Sequence, residues 1–474
     1  MKRVISIIVP ILLLCTMLFM PQEAFASTIL DKSVNSAIGK TNASVTLRSA
    51  KTGNIIYEHN GSIARQTASN MKLLTGVAAL QELGENYRFD TTIYIDGKIK
   101  NNILRGDVYL KGSGDPTLQY KNLQTIAKAL RKHGIKKVDG HLYLDDTLFT
   151  DSTLPPGATK SEETYYYAAR TSALNMSPNE DFDAGTVIVQ VTGTKSGLAP
   201  TVKILPHSSG QKIVNKARTG KTTSISVRRQ YNTNQIIVSG TIAPSRSTKS
   251  WVTVQDPTIA TGYAFKAALK SAGVTFTAMS KMTQKGISKD AQLIYTHKSR
   301  TLKAMLPTYM KLSNNGMADL FLRTIAAQKR GQGSLSSGAA EMKKSLASIG
   351  MPTTKMSIYD GSGLSSNNRV QTNNISALLY EMQEQPTFDT FYESLPVGGN
   401  SNRLVGGTLK NRFTGSYAGR VIAKTGYIDG VYALSGYVKT KKGNTFIFSI
   451  LTEKRSRSAI AGIDSVVKTI IDNY

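Results

Sequence analysis

Ser69-Asn70-Met71-Lys72-Leu73-Leu74-Thr75-Gly76-Val77-Ala78-Ala79-Leu80 sets a hydroxyl and an amine three residues apart at the head of an apolar segment that runs to Leu83, with Gly84 as its expected stop. Positions i and i+3 share a helix face, so a helix here presents Lys72 beside the Ser69 hydroxyl. Its apolar residues leave little polar surface, which predicts a centrally buried helix and a Lys72 that requires partners.

Two further strings follow in order, Ser313-Asn314-Asn315 and Lys424-Thr425-Gly426. Singly such strings are common in this chain: S-x-x-K recurs at Ser209–Lys212 and Ser465–Lys468, S-x-N at Ser33–Asn35 and Ser177–Asn179, and Lys-Thr-Gly at Lys51. Order and setting distinguish the three, because they combine a nucleophile opening a helix, a distant polar cluster and a Lys-Thr-Gly on a strand near the C-terminus.

A serine hydroxyl is a weak nucleophile at neutral pH and needs a base. Lys72 serves if burial and the second cation, Lys424, lower its pKa. Ser313 is placed to relay a proton to a leaving amine, and Asn315 to hold substrate backbone. Lys424 and Thr425 offer a cation and a hydroxyl to a carboxylate, while Gly426 permits close approach. The backbone N–H groups of Ser69 and Tyr427 are the expected oxyanion donors.

Lys2 and Arg3 precede an apolar run from Val4 to Met20, then Ala24-Phe25-Ala26, the pattern of a secretory signal peptide cleaved after Ala26. Cys15, the only cysteine, leaves with it, so no disulfide, thiol nucleophile or thiolate metal site is expected. Removing Lys2, Arg3 and Glu23 leaves 57 basic and 30 acidic side chains, a net charge of +27. Outside the cytoplasm that favours anionic wall polymers or a membrane surface. Nucleic acid is not expected, since the cations are dispersed and aromatic residues make up only 7% of the chain. Five histidines without ligand spacing and the absence of a G-x-S-x-G elbow argue against a zinc or Ser-His-Asp hydrolase, and neither cofactor nor metal is expected. Gly361-Ser362-Gly363 reads as a turn.

Short alternating strands fill the stretch from about Thr92 to Asp290, and helical periodicity resumes after it. The closing helix, Ala459 to Ile471, is expected to pack on the sheet, with a membrane-surface anchor as the alternative. Gly106-Asp107-Val108-Tyr109-Leu110-Lys111-Gly112-Ser113-Gly114-Asp115-Pro116-Thr117-Leu118, Ser172-Ala173-Leu174-Asn175, Asp360-Gly361-Ser362-Gly363-Leu364-Ser365, Leu395-Pro396-Val397-Gly398-Gly399 and Leu434-Ser435-Gly436-Tyr437-Val438 complete the pattern.

With these segments the mature chain resembles the low-molecular-mass class C penicillin-binding proteins, D-alanyl-D-alanine carboxypeptidases that also act as endopeptidases. The resemblance implies a multidomain α/β fold: a serine penicillin-recognising, β-lactamase/transpeptidase-like domain, with an antiparallel sheet flanked by helices, interrupted by two inserted β-rich domains. The expected boundaries are 27–91 with 290–474 for the catalytic domain, 92–167 with 256–289 for the second and 168–255 for the third. It implies Ser69 as acyl-enzyme nucleophile, Lys72 as base, and peptidoglycan stem peptides and β-lactams as partners. Tyr427 replaces the usual Thr or Ser. Lys160 replaces a customary Trp, leaving Glu162 with Tyr166 or Tyr167 for the substrate side chain. The competing readings are a β-lactamase and an idle wall-binding protein.

Overall fold

The structure, a computed structural model, describes residues 22–206, 210–453 and 456–474. Most of the expected signal peptide, and Ser209 of a stray S-x-x-K, lie outside the described residues; 22–26 form the first turns of a helix, Gln22–Ala37.

Both ends of the chain build one antiparallel sheet, in the order Val421–Ile428, Val431–Lys439, Thr445–Thr452, Ala43–Ser49, Ile55–His59. One face carries the Gln22–Ala37 helix and the C-terminal helix Ser458–Asn473. Leu30, Val34, Ile463, Val467 and Ile470 are sealed there against Val45, Leu434 and Ile450. The closing helix therefore spends its apolar face on the sheet. No helix among the described residues is long and apolar enough to cross a membrane.

The other face holds the helix Met71–Leu83, whose residues from Met71 to Leu80 are all buried, with Gly84 at φ +80° ending it. Leu73, Leu74, Val77 and Leu80 pack with Tyr309, Met310, Phe321 and Leu378. At roughly 1.5–3 kcal/mol for each large apolar side chain removed from water, this burial fixes the helix firmly. Rigid placement of its first turn follows.

A mixed seven-stranded sheet is built around Asp90–Lys100 and Ile103–Gly112, with Lys137–Asp139, Leu142–Asp145, Thr275–Phe276, Met282–Gln284 and Gln292–Lys298. Helices Tyr120–Lys132 and Pro257–Ser271 cover it through Leu123, Ile126, Leu130, Phe265 and Leu269. The pairing of Gln292–Lys298 with Asp90–Lys100 carries this sheet past residue 289. Between its halves, a three-stranded sheet (Thr186–Thr192, Thr201–Leu205, Ser247–Thr253) and a four-stranded one (Lys212–Asn215, Arg218–Thr219, Ser224–Arg229, Gln235–Ile242) share a core of Val187, Val189, Val191, Ile236 and Val238.

Candidate active site

Ser69 lies in a short 3-10 turn, Ala68–Asn70, that leads into Met71–Leu83. Ala68 holds φ +43°, and Ser313, in the tight connection between helices Leu302–Lys311 and Asn315–Arg330, holds φ +58°. Non-glycine residues reach this region at a cost, and such strain concentrates at functional sites where packing enforces it. Packing does so here. Asn70 donates to the Lys424 carbonyl at 2.8 Å and accepts from Ser435 at 2.6 Å, pinning the nucleophile turn to two adjacent strands. Asn314 caps the Asn315–Arg330 helix by accepting from the Met317 N–H at 2.9 Å, and donates to the Asp181 and Phe182 carbonyls.

Lys72 is fully buried and its amine meets three acceptors: Ser69 Oγ at 2.9 Å, Asn315 Oδ1 at 2.6 Å and the Ser362 carbonyl at 2.7 Å. Asn315 is oriented in turn by donating through Nδ2 to the Tyr167 carbonyl at 2.8 Å. Burial pushes the Lys72 amine down from 10.5 to about 7, with the Asp319 and Asp360 carboxylates pulling the other way. Lys424, also fully buried, is likewise held well below its usual value, first by burial and then by Lys72.

A neutral amine has two hydrogens and one lone pair. Asn315 Oδ1 and the Ser362 carbonyl can only accept, so they take both hydrogens and leave the lone pair aimed at the Ser69 hydroxyl. That arrangement is a base facing a nucleophile.

Lys424 donates to Ser313 Oγ at 2.8 Å and to the Thr425 carbonyl at 2.8 Å. Its strand, Val421–Ile428, is the sheet's edge, and a Cβ on Gly426 would lie 3.1 Å from the Ser69 nitrogen. A cleft of about 510 Å³ opens over Ser69, Ser313, Asn315 and Thr425, with Glu162, Tyr166, Tyr167, Tyr427 and Asp429 along its walls. Glu162 faces this cleft while its carboxylate accepts from the Thr159 hydroxyl and N–H at 2.7 and 3.0 Å. Its neighbour Glu163 is buried and paired with Arg170 and Arg229, which roots the loop. Tyr427 is 62% exposed and its ring leans on Tyr432. Lys160 turns away, over the Tyr231 ring.

Sequence alone does not point to Thr408, whose hydroxyl accepts from Thr425 Oγ1 at 2.7 Å on the cleft wall, nor to Asp319, Asp360 and the Ser362 carbonyl. Asp319 had a signal available, since it follows Asn315 by one helical turn. The stray Lys51-Thr52-Gly53 forms the turn between the strands Ala43–Ser49 and Ile55–His59, and Ser465–Lys468 lies on the C-terminal helix; neither borders the cleft. A larger groove of about 1010 Å³, between residues 202–205 with 210–213 and residues 263–270, carries lysines and apolar residues but, among the described residues, no comparable nucleophile–base pair.

Residues 26–471 match the D-Ala-D-Ala carboxypeptidase 3 (S13) family. The chain is 34% identical over 431 residues to a D-alanyl-D-alanine carboxypeptidase of Actinomadura sp. (strain R39), covering 89% of this chain and 80% of that one. It is 27% identical over 405 residues to the D-alanyl-D-alanine carboxypeptidase DacB of Haemophilus influenzae, covering 83% and 81%. The crystal structure of penicillin binding protein 4 (dacB) from Haemophilus influenzae superposes with a TM-score of 0.79 at 24% identity, over 93% of this chain and 98% of that one, and so shares the fold. From its family match, its relatives and its fold, the chain belongs to the D-Ala-D-Ala carboxypeptidase 3 (S13) family of serine hydrolases.

Proposed function

We propose that the protein removes the terminal D-alanine from peptidoglycan stem peptides through an ester on Ser69, outside the cytoplasmic membrane to which residues 1–26 direct it. The observation that carries this reading is the buried Lys72 amine, 2.9 Å from Ser69 Oγ and held by two pure acceptors, so that in its neutral form, favoured by burial, its lone pair faces Ser69. Lys72 takes the Ser69 proton as the hydroxyl attacks the scissile carbonyl. The oxyanion that forms is received by the backbone N–H groups of Ser69 and Tyr427. Ser313, coupled to Lys424, passes a proton to the departing D-alanine amine, and water then releases the ester by the same machinery in reverse. The arriving carboxylate sits against Lys424 and Thr425 and restores the charge that burial suppresses on Lys424. Glu162 with Tyr166 and Tyr167 meets the stem peptide's side chain. A cross-linked peptide carrying the same bond suits the same site, which adds endopeptidase action. β-Lactams acylate Ser69 on this reading; a similar structure is that of the Haemophilus influenzae protein complexed with a novel β-lactam. Its basic surface is matched to anionic wall polymers or phospholipid head groups.

The test is covalent labelling by fluorescent penicillin, followed by D-alanine release from a pentapeptide. A stable band in the wild type and none in Ser69→Ala supports the acyl-enzyme. Rapid consumption of penicillin without a band favours a β-lactamase, and neither band nor turnover favours an idle wall-binding protein.

Thr408→Val tests the carboxylate pocket. The Thr425–Thr408 hydroxyl pair offers a second oxygen beside the position where Tyr427 replaces the usual Thr or Ser. Losing a hydrogen bond to a charged group costs about 1.5–3 kcal/mol, so the variant should raise KM for the pentapeptide roughly tenfold or more with kcat little changed. An unchanged KM would remove Thr408 from the pocket.

A further inference from the structure

Two buried carboxylates beside the site have no part in the chemistry so far described. Asp360 accepts through Oδ1 from the Gly363 N–H at 2.6 Å and Asn368 Nδ2 at 3.0 Å, and through Oδ2 from the Ser365 N–H at 2.6 Å. Asp319 accepts from the Gly361 N–H at 3.0 Å, and Thr75 donates to the Gly361 carbonyl at 2.8 Å. The 361–365 loop is therefore gripped at nearly every residue, and its one carbonyl facing the base is that of Ser362, 2.7 Å from the Lys72 amine.

We propose that Asp319 and Asp360 are positioning residues of the reaction, which together clamp the 361–365 loop so that the Ser362 carbonyl holds the Lys72 lone pair on the Ser69 hydroxyl. The proposal rests on the Ser69–Lys72 reading above. Without the clamp the Ser362 carbonyl is free to swing, and the amine can rotate one of its hydrogens toward Ser69 instead of its lone pair. Few other charges compete for this role. Against Lys72 stand Asn315 and Asp319 on one helix, Asp360 on the loop, Lys424 on the strand, and Tyr309, whose hydroxyl donates to the Lys72 carbonyl at 2.9 Å. Arg323, one turn beyond Asp319, is committed to Asp151 and Thr171.

The same carboxylates act through space. Burial alone drives the amine toward neutrality, and the two anions restrain that fall. Burial raises both acids as well, while the Lys72 charge pulls each of them down.

Asp319→Asn and Asp360→Asn separate geometry from charge. An asparagine at 319 keeps an oxygen for the Gly361 N–H and removes only charge. An asparagine at 360 must turn its NH₂ on a backbone N–H and so loosens the loop. In Asp319→Asn the acid limb of penicillin acylation should move down by about one pH unit, and the Lys72 ¹³Cε titration seen by NMR should move with it. In Asp360→Asn the acylation rate at its pH plateau should fall roughly hundredfold, as expected when a general base is misaimed, with the pre-covalent binding constant for penicillin unchanged. A folded Asp360→Asn that acylates at the wild-type plateau rate, in an acylating wild type, overturns the proposal alone. An unacylated wild type overturns the proposed function and this inference with it. If Asp360→Asn does not fold, Asp319→Ala, which removes the acceptor of the Gly361 N–H, decides by the same plateau rate: a fall supports the clamp and an unchanged rate overturns it.

Discussion

Lys72→Met should lower the rate of penicillin acylation by roughly three orders of magnitude, the range for loss of a general base, while leaving the protein folded. Survival of the fold follows from two opposed terms. Lys72 sits near 10.5 when unfolded and at about 7 when folded. The unfolded chain therefore binds the extra proton between those values, and stability rises with pH across that window. At and below pH 7 the buried amine costs about 5 kcal/mol, at 1.36 kcal/mol per pKa unit, and methionine removes that cost. Against it, the Asn315 and Ser362 oxygens lose their donor, at about 1–3 kcal/mol each. The terms nearly cancel, so melting temperature should move little while acylation collapses. The pH profile is the sharper check. Wild-type acylation should climb as pH rises through about 7 and level off above, because only the neutral amine accepts the Ser69 proton; in Lys72→Met that limb should vanish. A profile that survives the substitution would assign the base elsewhere.

Much of this architecture is visible in the sequence because its elements obey their own periodicities. The expected apolar helix running to Leu83 and stopped by Gly84 is observed as Met71–Leu83, and the expected closing helix Ala459 to Ile471 as Ser458–Asn473. Other elements hide for identifiable reasons. The helix Leu302–Lys311 contains Pro307, and the strand Gln292–Lys298 is nowhere fully buried, so its alternation is faint. Gln22–Ala37 draws its burial from two partners distant in sequence, the C-terminal helix and the sheet. Among the site residues, Ser69, Lys72, Ser313, Asn315 and Lys424 announce themselves as strings because the geometry they need is local. The Ser362 carbonyl cannot do so, since every residue has one. Asp360 is disguised as the opening of an Asp-Gly-Ser-Gly turn, and a turn it is, but one whose hydrogen bonds point inward.

Gly363→Ala carries the other large expected effect, because that turn abuts the nucleophile. Gly363 holds φ +83°, and a Cβ there would lie 1.8 Å from the Ala68 carbonyl oxygen and 3.1 Å from Met71 Cβ. The obstruction is backbone, which cannot swing aside as a side-chain tip can. Ala68 already occupies φ +43°, so relief must come from displacing the residue just before Ser69 or the loop that carries the Ser362 carbonyl. Either shift separates nucleophile from base. Overpacking of this kind costs about 1–3 kcal/mol, and positive φ adds roughly another 1 kcal/mol. Gly443→Ala isolates the second term, since Gly443 has φ +90° and nothing within 4 Å of a Cβ. Thermal unfolding should show Gly363→Ala losing clearly more stability than Gly443→Ala. Of the two folded proteins, only Gly363→Ala should also lose acylation, by roughly a hundredfold or more for a displacement near 1 Å. Equal losses in both stability and acylation would mean that the loop yields freely, and that the Ser69 turn is not held in place by its contact with Gly363.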